Sequence, residues 1–99
     1  MPKDLPVDEI AAAEAAVVFA QRVRAMHARR TDKRNTQREA DVEYALQRIK
    51  EAMEPLRSAI GRFPYGPQTT AAEANREAIR QASAALQRER RKLWKMRTR

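Results

Sequence analysis

Apolar side chains recur along this chain at steps of three and four, the period of a helix with one buried face. Three such stretches stand out. In the first, Ala12, Ala16, Phe19, Val23 and Met26 follow one another at 4-3-4-3, and Ile10, Val17 and Ala20 widen the same face. Pro6 precedes the stretch and Asp8 and Glu9 fall in its first turn, where carboxylates complement the helix dipole. The pattern predicts a helix over about 7–30.

The second stretch carries the most regular seam: Val42, Leu46, Ile49, Met53, Leu56, Ile60 and Phe63, stepping 4-3 throughout. Thr36-Gln37-Arg38-Glu39 forms a capping box in front of it, so the helix is expected over about 37–60. Pro55 interrupts the backbone hydrogen bonding but not the stripe. It is expected on the outer face, at a kink, with the helix continuing. The third stretch follows a second capping box, Thr70-Ala71-Ala72-Glu73, and predicts a helix over about 71–95. Its seam is Ile79, Ala82, Leu86, Leu93 and Met96, with Asn75 and Glu89 as polar interruptions. Residues 1–6 and 96–99 read as loose tails.

The two breaks differ in strength. Gly61 to Thr69 holds both glycines and two prolines, an unambiguous stop. Thr31 to Asn35 holds neither. Met26 and Val42 are nevertheless 16 residues apart, two more than two heptads, and a straight helix would rotate its apolar face by about 200° across that gap. A turn fits that phase shift, whereas one continuous helix would require a dimer. Three amphipathic helices of similar length with short connections give an all-α fold, an antiparallel three-helix bundle in a single domain. Large seam residues fall mostly on the second helix and Ala-rich faces on the first and third. Of 42 apolar residues 19 are Ala, so the core is thin, and a homodimer is compatible with that thinness because it would bury further apolar surface.

Composition then removes whole classes of function. With no Cys and one His among 99 residues, a disulfide scaffold, a Cys-based zinc site and a thiol enzyme are excluded. His27, beside the seam, is expected to be a partly exposed structural residue; no metal and no cofactor are expected. Ser58 and Ser83 lack His–acid partners, and there is no phosphate-binding Gly-rich loop or HExxH, so enzymatic activity is not expected. Glu51 and Glu54 lie beside Lys50 and Arg57 and read as surface ion pairs. The run Ala15–Ala20 is far shorter than the ~20 apolar residues of a membrane span, and the N-terminal residues do not resemble a secretory signal. A cytoplasmic location is the expectation.

Charge gives the sharpest functional expectation. The chain carries 21 Lys+Arg against 13 Asp+Glu, a net charge of +8. In an up-down-up bundle the end of the first helix, the start of the second and the end of the third meet at one pole. That pole would hold 14 basic residues against Asp32, Glu39, Asp41 and Glu89, or +10, leaving the remainder at −2. The residues expected to bind a polyanion there are Arg29, Arg30, Lys33, Arg34, Arg38, Arg88, Arg91, Lys92 and Lys95. Nucleic acid held through phosphate contacts, with little sequence preference, is the leading expectation. The alternative is an adaptor or inhibitor that binds an acidic surface of a partner protein, a mode found among small proteins of phage and mobile elements. Trp94 and Tyr65 are the candidate protein-contact anchors. For Trp94, packing at the edge of the bundle is favoured over stacking on a partner ring. The Phe63-to-Pro67 loop carrying Tyr65 reads first as a lid on the opposite pole.

Overall fold

The computed structural model describes residues 7–28, 36–61 and 70–97. It contains three helices: α1 (Val7–His27), α2 (Thr36–Ile60) and α3 (Thr70–Arg97), each packed on the other two. No strand occurs among the described residues. Helix α1 opens on Asp8 and Glu9 and carries Arg24 in its last turn beside His27, so the carboxylates and the guanidinium each sit at the end the helix dipole favours. It stops three residues before the expected end, with Ala28 N–H donating to Ala25 O in a final tight turn. Helix α2 continues through Pro55, which is exposed as expected. At its end Gly61 N–H donates to Ser58 O. Helix α3 runs two residues past the expected end, so Met96 and Arg97 are helical rather than part of a tail.

The chain does reverse between α1 and α2. In one continuous helix His27 and Asp41 would lie about 21 Å apart along the axis; their side chains are instead 2.8 Å apart. Likewise Arg24 of α1 meets Glu89 of α3, and Arg97 of α3 meets Glu43 of α2. The end of α1, the start of α2 and the end of α3 therefore share one end of the bundle. The connecting segments 29–35 and 62–69, the Phe63–Pro67 loop and Tyr65 among them, lie outside the described residues.

Packing departs from the expected seams in a consistent way. On α1 the buried row is Ala13, Ala16, Ala20, Val23 and His27, whereas Ala12 and Met26 are exposed. The alanines on α1 supply no strong phase, so Phe19 and Met26, the larger side chains, misplace the face by one position toward α2. On α2 the buried row is Val42, Ala45, Ile49, Ala52, Leu56 and Ala59, with Leu46, Met53 and Ile60 half-buried beside it. Large and small residues thus alternate, and the small ones let a neighbouring helix come close. The large fully buried residues of α3, Ile79, Leu86 and Leu93, recur every seven. Large core residues therefore come from α2 and α3, and the Ala-rich core face is that of α1; for α3 this corrects the expectation.

Candidate functional site

The inward row of α3 fixes what its outward row can do. Leu86, Glu89 and Leu93 are buried at 3-4 spacing and Met96 is half-buried after them. Over this stretch the remaining positions are mostly basic, and the helix turns Arg88, Arg91 and Lys95 onto its outer face, with Arg90 and Lys92 exposed on either side. From Arg88 to Lys95 the axial distance is about 10 Å, close to the rise of three nucleotides in one strand.

The one acidic residue of this stretch is withdrawn from the surface. Glu89 has a side chain only 6% exposed and receives a bidentate pair from Arg24: Nε to Oε1 at 2.8 Å and Nη2 to Oε2 at 3.0 Å. Gln21 Nε2 adds a longer contact to Oε2 at 3.5 Å. A carboxylate at a core position must be met by charged hydrogen bonds or neutralised, and Arg24 on α1 meets it in the fork geometry suited to carboxylates. The pair ties α1 to α3. It also keeps Glu89 from offsetting the outward cations.

A second polar layer lies one turn nearer the end of α1. His27 is 3% exposed, against the expectation of a partly exposed ring. Its Nε2–H donates to Asp41 Oδ2 at 2.8 Å, and Gln37 Nε2 donates to Asp41 Oδ1 at the same distance. His27 Nδ1 is buried without a partner. The hydrogen bond from His27 holds the Asp41 carboxyl below its ordinary value of 3.8. His27 is buried because the inward phase of α1 places it one heptad after Ala20; the aromatic ring is large enough to fill the end of a core built from alanines. That phase, not the identity of the residue, is the signal that locates it.

The anticipated binding residues separate into three groups. Arg88, Arg91, Lys92 and Lys95 are together on α3 and exposed. Arg38, at the start of α2, is half-buried with Nε screened from water, and is already engaged within the fold. Arg29, Arg30, Lys33 and Arg34 fall outside the described residues. Two further basic residues of the pole are committed elsewhere: Arg24 to Glu89, and Arg97 to Glu43 at 2.7 Å. Glu43 therefore reaches this end, although the charge count from topology assigns it to the remainder.

Trp94 is 44% exposed, more than the edge packing expected of it. The Arg97 guanidinium sits over its ring, 4.5 Å from the centroid, and the ring walls a groove of about 460 Å³ between α2 and α3 with Leu46, Met53 and Arg90. A second aromatic cluster lies between α1 and α2, where Phe19 and Tyr44 meet edge to face at 5.3 Å and Arg48 lies over both rings. Among the described residues no group of three or more His, Cys, Asp or Glu is placed to hold a metal ion, and no helix is long and apolar enough to cross a membrane. Glu54 and Arg57 do pair on the surface of α2, at 3.7 Å. No family model matches this chain, and neither a curated protein nor a solved structure gives a significant match.

Proposed function

We propose that this chain is a non-enzymatic cytoplasmic protein that binds nucleic acid through the outer face of α3, with little preference for sequence. One observation carries the reading: from Arg88 to Lys95 the exposed face of α3 presents only cations apart from Trp94, while the single carboxylate of that stretch is buried on Arg24. Lys and Arg on one helix face engage successive phosphates by charge and displace condensed counterions, which supplies affinity but no base readout. Arg predominates, and its planar fork suits phosphate oxygens. Trp94 supplies an exposed ring at the edge of this face, able to stack on an unpaired base.

The test is binding to duplex DNA, single-stranded DNA and RNA of about 20 nucleotides, titrated with salt and followed by fluorescence anisotropy. Affinity is expected to fall steeply as salt rises, with a log–log slope of about −0.9 per phosphate neutralised on duplex DNA. Absence of binding to all three at 50 mM salt overturns the reading and leaves an acidic protein surface as the counterpart of the same cations.

A further inference from the structure

Helix α1 is apolar on both sides. Its inner row, Ala13, Ala16, Ala20 and Val23, is buried in the bundle. Its outer row, Val7, Ala11, Val18 and Ala25, faces solvent, with Val7 62% and Val18 45% exposed; Met26 beside it is 57% exposed. A helix that is apolar all round is ordinarily covered on all sides. Among the described residues the bundle covers one side only, and a groove of about 450 Å³ runs along the other, lined by Ala11, Ala15, Val18, Phe19, Arg22 and Arg48.

The arrangement of charge on this face indicates what covers it. Glu14 and Arg22 stand four residues to either side of Val18, both exposed. If two copies of α1 pack antiparallel about a two-fold axis at Val18, Glu14 of each lies level with Arg22 of the other, Ala11 lies level with Ala25, and the two Val18 side chains meet on the axis. Parallel packing in register would instead set Glu14 on Glu14 and Arg22 on Arg22. A face that is its own electrostatic complement under a two-fold rotation is what an isologous contact requires. Ala11, Ala15 and Ala25 are small enough for the two backbones to approach closely, as in the Ala-rich contacts already used inside the bundle.

We infer that the outer face of α1 is a homodimer interface, formed by antiparallel pairing with a second copy of this chain about Val18. The pairing leaves the outer face of α3 uncovered on each protomer, so the dimer presents two separate basic faces.

Light scattering coupled to size exclusion, on the full chain at about 100 µM, is expected to give twice the 11.4 kDa protomer mass. Val18→Glu, which sets two carboxylates against each other on the axis, is expected to weaken the dimer at least about 30-fold, with far-UV circular dichroism unchanged because position 18 is exposed. Glu14→Arg is expected to weaken it about tenfold, and Glu14→Arg combined with Arg22→Glu to restore it. Because the chain has no cysteine, Val18→Cys gives an independent readout: on mild oxidation it is expected to cross-link to a covalent dimer, while Glu77→Cys on α3 stays monomeric on a denaturing gel. A monomer at 100 µM overturns the inference. So does a dimer indifferent to Val18→Glu, failure of the charge exchange to restore association, or failure of Val18→Cys to cross-link.

Discussion

Helices α1 and α3 flank the same core but turn very different faces to solvent. Of the eleven exposed positions of α1, seven are apolar and three are charged; of the thirteen exposed positions of α3 from Glu73 onward, nine are charged and two are apolar. The contrast follows from how each helix contributes to the core. Helix α3 buries large residues every seventh position, and polar residues can occupy nearly everything else. Helix α1 buries mainly alanines, and its outer residues are hardly more polar than its inner ones. One helix is amphipathic around a narrow, strong seam, as suits contact with a charged partner. The other lacks a polar side, as suits contact with a second apolar surface.

The largest effect is expected where the two helices are joined by charge. Arg24→Met leaves Glu89 buried with no cation, which costs about 3–5 kcal/mol and should appear as a lowered urea midpoint. Arg24→Met with Glu89→Leu should recover that loss, since apolar residues of similar size often replace a buried ion pair at no cost or with a gain. If the double variant is as unstable as the single, the pair does more than neutralise a core carboxylate.

Next comes the face of α3. Arg88→Glu, Arg91→Glu and Lys92→Glu together should lower nucleic-acid affinity about a hundredfold at 0.15 M salt and flatten the salt slope by two to three. The same triple variant should leave the oligomeric mass unchanged. A change of mass on reversing α3, or a change of intrinsic nucleic-acid affinity per protomer on altering Val18, would break the division of labour between the two helices.

A smaller, pH-dependent effect is expected at the end of α1. The pKa of Asp41 is lowered by its hydrogen bond from His27, so the carboxylate form is favoured in the folded chain relative to the unfolded one. Its contribution to stability is present above the ordinary value of 3.8 and is lost as pH falls through the lowered folded value. Stability of the native protein should therefore decline more steeply below about pH 3.8 than that of Asp41→Asn, measured by thermal melts across pH. Parallel curves would show that the His27–Asp41 contact does not bias the titration. The smallest effect belongs to exposed α1 residues in the isolated protomer: Met26→Ser should shift protomer stability by no more than about 0.5 kcal/mol.

Much of the fold is legible in the sequence. The steps of three and four along Val42 to Ile60 and Ile79 to Met96, the two capping boxes and the Gly/Pro-rich break delimit α2 and α3 to within two residues. The phase shift between Met26 and Val42 predicts a reversal that the His27–Asp41 contact shows. The choice of core residues was less legible wherever alanine is involved. Leu46 and Met53 attract attention because of their size, yet Ala45 and Ala52 are deeper, because close helix approach rewards small side chains as much as large ones.

The sequence by itself determined the number of helices, the course of the chain and the end at which basic residues gather. These follow from periodicity, capping and connectivity, which are local along the chain. Tertiary structure decided which of those charges face outward. Glu89 lies within a basic run, yet Arg24, 65 residues away, takes it out of the surface; His27 becomes a buried partner of Asp41; Glu43 engages Arg97. Each is a pairing between helices, set by the rotation of one packed helix against another, and no spacing within a single helix encodes that rotation when alanines occupy most of its face.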